Sequence, residues 1–394
     1  MINVPKGTKD LLPEEAYKMQ FIEDRLKRLA AVWGFLEIRT PTFESTELFL
    51  RGVGDTTDIV NKEMYTFSDK GGRSMTLKPE GTAGVVRSVI ENGLLNGVLP
   101  LKVFYMTPVF RYERPQAGRL REHHQFGVEM FGADSVETDV EILLLADAVF
   151  KTFEIDGITL NINSIGCPDC RPQYTERLKK YFAKKKDEIC PLCVERLAKN
   201  PLRLLDCKVE NCRKIAEKAP KTTENLCFSC KDRLDKTVEI LDRLSVKYVI
   251  NPDIVRGLDY YTGTVFEFVS QNIGAQGTVL AGGRYNNLVK SLGGQDCPAI
   301  GFGTGLERLL MLVKDFGETY RPEVFIIGGG AFELAARLKQ KGIAAECDLL
   351  GRSQKAQMKY ANKKNFKKVI FLGEKNIIKD MDSGIEEDYE KNAY

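Results

Sequence analysis

The chain reads as a mixed α/β protein of two or three domains, and three observations predict it. Short runs of alternating apolar and polar residues (Leu101–Met106, Thr159–Asn163, Thr264–Phe268) are separated by long polar loops, the pattern of an antiparallel sheet. Apolar residues recur at helical spacing from Pro13 to Gly34 and from Val136 to Phe153, which supplies helices to flank that sheet. From Glu323 onward strands alternate with helices, the mark of a small α/β unit with a parallel sheet. A chain of 394 residues, 43% of them apolar, can bury one large core and still form a smaller domain.

Taken in order, the elements support that reading. Pro13 suits a first helical turn, where its missing N–H is no loss, and Tyr17, Phe21, Leu26, Leu29 and Val32 mark the apolar side of the opening helix. Phe35–Pro41 is a short strand ended by proline, and Ser74–Leu77 is a strand-like run leading into Glu80-Gly81-Thr82. Val136–Phe153 is acidic early and apolar throughout, as a core-facing helix would be. From Cys167 to about Leu244 the composition shifts to Lys, Arg, Glu and Cys with no β-rich run, which predicts an inserted helical domain. A linker at Arg321-Pro322 precedes a strand at Glu323–Ile327, a helix at Ala331–Lys341, a strand at Ala344–Leu349, a helix near Gln354–Lys364 and a strand at Lys368–Leu372. The acidic stretch Asp380–Tyr394 reads as loosely ordered. The boundaries therefore fall at 1–166, 167–244, 245–320 and 321–394, with the first and third pieces forming one domain.

Composition narrows the partners. A net charge of +3 is too mild to identify a nucleic-acid binder, though it permits an RNA partner. No apolar run approaches the roughly 20 residues that span a bilayer, and the N-terminus lacks a signal-peptide core, so a soluble, cytoplasmic protein without membrane association is expected. Ten cysteines in such a chain are free thiols or metal ligands before they are disulfides. Cys167-x2-Cys170 with Cys190-x2-Cys193 has the spacing of one four-thiolate zinc site, and Cys207-x4-Cys212 with Cys227-x2-Cys230 that of a second; eight reduced thiols without metal are the alternative.

The chemistry concentrates elsewhere. Arg256-Gly257-Leu258-Asp259-Tyr260-Tyr261-Thr262-Gly263 sets a fixed cation, a carboxylate and two phenols beside a strand. A guanidinium fork suits phosphate oxygens and can follow charge developing on an α-phosphate; a salt bridge from Arg256 to Asp259 is the plainer alternative. In Phe110-Arg111-Tyr112-Glu113 alternation puts Arg111 and Glu113 on one face, and with Arg119 and Arg308 they read as a triphosphate clamp, where singly each is an ordinary surface ion pair. Glu80, Gln125 and Glu129 offer acceptors for an ammonium and a ring N–H, Gln125 and Glu129 sharing a strand face at even spacing; a solvated acidic face is the competing reading. Gly282-Gly283-Arg284-Tyr285 and the glycines near Gly301 would let backbone approach a ligand.

From Pro5-Lys6-Gly7-Thr8-Lys9-Asp10 to about Gly373 these motifs resemble the class II aminoacyl-tRNA synthetases, and among them the bacterial histidyl-tRNA synthetases. Thr40-Pro41, Phe110-Arg111-Tyr112-Glu113 and Gly303-Thr304-Gly305-Leu306-Glu307-Arg308 are similar to the three class signatures; Arg256–Gly263 and Ala281-Gly282-Gly283-Arg284-Tyr285 resemble the histidine-specific ones. The resemblance implies an antiparallel catalytic sheet, a helical Cys-rich insert and a shortened C-terminal anticodon-binding domain. It implies Arg111 and Arg256 on the ATP α-phosphate, Glu113, Arg119 and Arg308 at the rest of the nucleotide, and His123 stacking on adenine where many relatives carry Phe. Glu80, Gly81, Thr82 and Gln125 would receive the histidine ammonium, Glu129 and Tyr261 would bracket the imidazole, and Tyr260 and Tyr285 would shape the pocket. Arg114 and Gln116 would approach the acceptor end of tRNA(His). ATP, Mg²⁺ and a homodimer are implied too. The departure lies at the C-terminus, where Asp382-Ser383-Gly384-Ile385-Glu386-Glu387 replaces the usual final strand. The alternative function is a regulatory paralogue that activates ATP phosphoribosyltransferase; such paralogues usually lose the Arg-Gly-Leu-Asp-Tyr-Tyr motif that this chain keeps.

Overall fold

The computed structural model describes residues 2–54, 57–116, 118–254, 256–273, 277–317 and 321–389, in two compact units at 1–315 and 316–394. In the first unit, α1 (Pro13–Val32) buries Met19, Ile22, Leu26 and Ala30, one stripe at helical spacing. The short β1 (Leu36–Glu37) follows, then β2 (Phe43–Ser45), α2 (Thr46–Val53), β3 (Tyr65–Ser68) and β4 (Ser74–Leu77), with β2, β4 and β3 forming a small antiparallel sheet. After α3 (Thr82–Glu91) come the two longest strands, β5 (Leu101–Phe110) and β6 (Glu122–Phe131), paired along their whole length. The helix α4 (Val136–Thr152) begins at Ser135, whose Oγ accepts from the Thr138 N–H at 3.3 Å, and β7 (Ile158–Ser164) follows it.

Residues 167–244 are helical as the composition predicts: α5 (Arg171–Ala183), α6 (Pro191–Lys199), α7 (Glu210–Glu217) and α8 (Phe228–Arg243). The first three gather their own apolar cluster around Tyr174, Leu178, Phe182, Leu204 and Ile215. The chain then completes the main sheet with β8 (Val249–Ile250), β9 (Thr264–Ser270), β10 (Thr278–Arg284), the short α9 (Leu288–Ser291), and β11 (Ala299–Gly305), which runs into α10 (Leu306–Leu312). The order β1-β5-β6-β11-β10-β9-β7-β8 is antiparallel except at its two edges, where β1 joins β5 and β8 joins β7 in parallel. Because β11 pairs with both β6 and β10, the central strands bring residues far apart in sequence onto one face.

The second unit orders its sheet β13-β12-β14-β15-β16 around β12 (Val324–Gly328), α11 (Ala331–Gln340), β13 (Ala345–Cys347), α12 (Gln354–Lys363), β14 (Lys368–Leu372), β15 (Ile377–Asp380) and β16 (Glu386–Asp388). The first three strands are parallel, as expected, but β14, β15 and β16 run antiparallel. This corrects the expectation of a loose tail as far as residue 389; residues 390–394 lie outside the described residues. The cause is local. Asp380 Oδ1 accepts from the Asp382 and Ser383 N–H groups at 3.1 and 2.8 Å, Gly384 takes φ +74°, and Tyr389 is buried against Val324, Ile326 and Leu334. A turn and one aromatic anchor thus hold a strand whose own residues are all exposed.

Candidate active site and thiol clusters

A cavity of about 270 Å³ opens over β6, β10 and β11 and is lined by Arg111, Arg119, Arg256 and Arg308 together with Glu80, Glu113, Gln125 and Glu129. Thr82, His123, Tyr260, Tyr261 and Tyr285 complete the set named from the sequence. Gly81 joins from behind, its N–H donating to Gln125 Oε1 at 3.2 Å. Arg114 and Gln116 do not line the cavity: Gln116 exchanges backbone hydrogen bonds of 3.1 and 2.9 Å with Arg119, and Arg114 is exposed on the same loop.

Strand register explains how the polar face is made. Gln125 and Glu129, four residues apart on β6, point to the same side, and Glu129 lies directly opposite Gly301 on β11. A Cβ at Gly301 would collide with the Glu129 carboxylate, and one at Gly303 with the Gln125 amide. These two glycines therefore make room for side chains from the neighbouring strand, which revises the expectation that they let backbone approach a ligand. Gly282 and Gly283 are likewise filled by structure, since a Cβ there would strike the Gly301 and Thr264 carbonyls. Arg284 also leaves the site: it is 1% exposed and ion-paired with the fully buried Asp139.

At the carboxylate end, Glu80 accepts from the Thr82 and Ala83 N–H groups at 2.7 and 2.8 Å, so it caps α3 at the cavity wall. Glu129 accepts from the Thr82 hydroxyl at 2.6 Å and from the Tyr285 hydroxyl. Burial, reinforced by the charge of Glu80, pushes the Glu129 carboxyl up to about 8, despite the hydrogen bonds from Thr82 and Tyr285 that pull it down. Tyr260 packs between Tyr261 and Tyr285, at 4.8 and 5.6 Å between ring centroids.

At the cationic end, like charges crowd. The Arg308 guanidinium is lowered from its ordinary value by burial and then by Arg119 and Arg111, and Arg119 by burial and by Arg111. The like charges of Arg111 and Arg119 thus weaken the hold of Arg308 on its proton, and that of Arg111 the hold of Arg119. His123 is pushed down to about 4, mainly by burial and then by Arg111, so it is a neutral ring at physiological pH. Arg111 donates from Nε to the Pro79 carbonyl at 2.7 Å, and Arg119 pairs with Glu113.

Arg256 does not pair with Asp259. Its guanidinium meets Glu267 of β9, which also accepts from Thr278 at 3.1 Å, and lies 5.2 Å from the centre of the Tyr261 ring. Its Nε is buried with no hydrogen-bond partner among the described residues. Asp259 instead accepts from Asn200 at 3.1 Å and lies 3.9 Å from Arg203. Glu267 and Glu307 were missed by sequence reasoning. The signal for the first was there: it is the one charge within the apolar run Thr264–Phe268.

The sequence grouping of the cysteines is also corrected. Cys167 and Cys170 gather with Cys227 and Cys230, and Cys190 and Cys193 with Cys207 and Cys212. The pairs nest, outer with outer and inner with inner. Helices α5 to α7 fold back on themselves, which brings the ends of the insert together and leaves its middle pairs to meet each other.

The Glu129 result carries a prediction. In the unfolded chain the carboxyl titrates near 4.5 and in the folded chain near 8, so the folded state holds the extra proton between those values. Stability contributed by this group is therefore lost as pH rises through that window. Glu129→Gln is expected to gain stability relative to the parent between pH 6 and pH 9 in urea unfolding; parallel curves would refute the assignment.

The chain matches the family model described as histidyl-tRNA synthetase over residues 7–309. It is 52% identical to a histidine-tRNA ligase of Clostridium novyi (strain NT), an alignment covering 95% of this chain and 92% of that protein. The crystal structure of the apo histidyl-tRNA synthetase of S. aureus superposes with a TM-score of 0.83 at 37% identity, covering 99% of this chain and 97% of that one. An ATP phosphoribosyltransferase regulatory subunit/histidyl-tRNA synthetase from Bacillus halodurans shares the fold, with a TM-score of 0.68 at 23% identity over 94% of this chain and 98% of that one.

Proposed function

Because the chain belongs to the histidyl-tRNA synthetase family, we infer that its cavity joins histidine to ATP and passes the product to tRNA(His). The enzyme is an ATP-dependent histidine-tRNA ligase, and the regulatory alternative is set aside: relatives near half identity over almost the whole chain are ligases. What supports the assignment of residues is one observation, that Arg111, Arg119, Arg256 and Arg308 line a single cavity together with Glu80, Gln125 and Glu129.

In the first step the histidine carboxylate attacks the α-phosphorus of ATP, and pyrophosphate leaves with the bond electrons. Arg111 and Arg256 are suited to the α-phosphate, because a fixed guanidinium follows charge as it builds there. Arg119 and Arg308 are suited to the outer phosphates, whose charge would relieve their mutual repulsion. The neutral ring of His123 can stack on adenine. Magnesium fits beside the arginines, where Glu113 and Glu307 offer hard oxygen donors, and when bound it neutralises phosphate charge. In the second step a hydroxyl of the terminal ribose of tRNA(His) attacks the carbonyl of the histidyl-adenylate and AMP leaves; Arg114 and Gln116, on the loop after β5, would meet the acceptor end. No side-chain nucleophile is required, so rate comes from positioning and charge.

Selectivity follows from the buried end. The ammonium would meet Glu80, Thr82 and Gln125, with the N–H of Gly81 holding the Gln125 amide, and the imidazole would lie between Glu129 and Tyr261. An amino acid without ring nitrogens leaves Glu129 buried and unpaired by substrate, a penalty of the kind that separates near-isosteric substrates by about 10⁴-fold. Zinc in the insert would be structural, since neither thiol cluster lines this cavity. The second unit would bind the anticodon. A homodimer would cover apolar side chains left exposed near the start of the chain, among them the edge-on pair Phe43 and Phe67, 51% and 44% exposed. No helix among the described residues is long and apolar enough to cross a membrane, and the site is suited to substrates of the cytoplasm.

Pyrophosphate exchange into ATP, run with each amino acid in turn, tests the reading. Exchange is expected with histidine alone. Exchange with another amino acid would refute the selectivity argument, and none at all would refute the catalytic one.

A further inference from the structure

Three residues of the insert hydrogen-bond to the segment 256–261 and a fourth to Asp58, and all four come from the cysteine-bearing stretch between Cys170 and Cys207. Arg196 donates to Asp58 at 3.0 Å, Asn200 to Asp259 at 3.1 Å and Arg203 to the Gly257 carbonyl at 2.6 Å. These three residues sit on the segment between Cys193 and Cys207, both members of the inner cluster. Arg171, next to Cys170 of the outer cluster, donates to the Tyr261 carbonyl at 2.9 Å. The loop they hold, residues 256–261, has no strand or helix of its own to fix it. It nevertheless carries Arg256, Tyr260 and Tyr261.

The sulfur spacing identifies the ligand. In the outer cluster Cys167 Sγ lies 3.8 Å from the sulfurs of Cys170 and Cys227, and Cys170 Sγ lies 3.9 Å from that of Cys230. In the inner cluster Cys190 Sγ is 3.9 Å from Cys207 Sγ. Four sulfurs tetrahedrally placed about 2.3 Å from a zinc ion stand about 3.8 Å apart, whereas disulfide sulfurs stand about 2.0 Å apart. Within each cluster all four sulfurs lie within 4.8 Å of one another. Both sets are therefore shaped for a metal and too open for a disulfide.

We propose that the insert holds two nested tetrathiolate zinc centres and that the inner centre, by fixing the segment between Cys193 and Cys207, sets the position of the histidine-binding loop. The loop's role rests on the synthetase reading; the two centres do not. Asn200 and Arg203 are positioning residues, acting through Asp259 and Gly257 without reaching substrate. Loss of the inner metal lets the segment relax, and the cavity loses affinity for the amino acid and the aim of Arg256 at the α-phosphate, while Arg111, Arg119 and Arg308, which lie outside the loop, keep their places.

The test uses the full chain. Plasma mass spectrometry is expected to find two zinc ions per chain in the parent, and one in Cys193→Ser/Cys212→Ser; a metal-free parent, or a variant that keeps both ions, would overturn the nested centres. The variant Asn200→Ala/Arg203→Met leaves every thiol in place and should keep both ions. It is expected to raise KM for histidine about tenfold in pyrophosphate exchange, the loss of about one well-made hydrogen bond, and to lower kcat as Arg256 loses its aim. Deuterium uptake across residues 256–262 should rise in both variants. Unchanged uptake in both would overturn the positioning role even with two ions bound. If zinc and uptake respond as expected but no amino acid supports exchange, it is the synthetase reading that fails, and the coupling stands.

Discussion

Arg256→Ala is expected to lower histidine-dependent pyrophosphate exchange by about 10³-fold, the cost of losing one fixed donor at a site where charge builds in the transition state. The side chain is only 12% exposed, so its attraction for an anion is weakly screened. Glu267 takes one arm of the guanidinium, and Tyr261 lies against it, so the fork is aimed before ATP arrives. Its buried Nε, without a hydrogen-bond partner among the described residues, would be the group left for a phosphate oxygen. The loss should fall mainly on kcat, because charge develops on the α-phosphate only as the reaction proceeds. Arg256→Lys should recover little, since an ammonium cannot serve Glu267 and a phosphate with one planar fork. A variant retaining more than a tenth of parental exchange would show that Arg111 suffices.

Arg284→Ala is expected to destabilise the chain by about 3–5 kcal/mol, although it lines no cavity, because it strands a buried carboxylate. Asp139 is fully buried, and it accepts from Arg284 and, at 2.8 Å, from Thr264; a third partner, Arg233, is 3.4 Å away. Arg284 also donates to the Ala133 and Ser135 carbonyls, at 3.3 and 3.1 Å, tying the end of β10 to the turn that starts α4. Urea unfolding followed by circular dichroism measures the loss. Arg284→Met/Asp139→Leu should recover much of it, since replacing both partners removes the stranded charge. A single variant within about 1 kcal/mol of the parent would mean that Arg233 alone neutralises Asp139.

How far the sequence could be read divides along a physical line. Patterns set by local geometry were legible: the stripe of α1, the even spacing of Gln125 and Glu129, the alternating strands and helices after Glu323. What depended on partners distant in the chain was not. Spacing alone could join Cys167 and Cys170 to any of the three other pairs, and only the fold-back of the insert decides for Cys227 and Cys230. Arg256 and Asp259 are three residues apart and opposite in charge, yet each finds its partner on another element, Glu267 in one case and Asn200 with Arg203 in the other. Arg284 stood in a motif rich in glycine and tyrosine and took on their apparent role, while its burial was invisible until Asp139 was brought beside it. The final hairpin was missed because no apolar pattern marks it; a side-chain turn and Tyr389 carry it.

The glycines of β11 have a consequence for how this enzyme can change. On the proposed reading, amino-acid choice is written partly in atoms that are not there: opposite Glu129 and beside Gln125 the strand offers vacant volume, and those two side chains occupy it. An exchange of Gly301 for alanine adds one carbon and two hydrogens, no charge and no polarity, and would still displace the Glu129 carboxylate to which we assign recognition. A library that randomised only the chemically active side chains would leave that constraint untouched, and new specificities would have to arise from paired changes across β6 and β11.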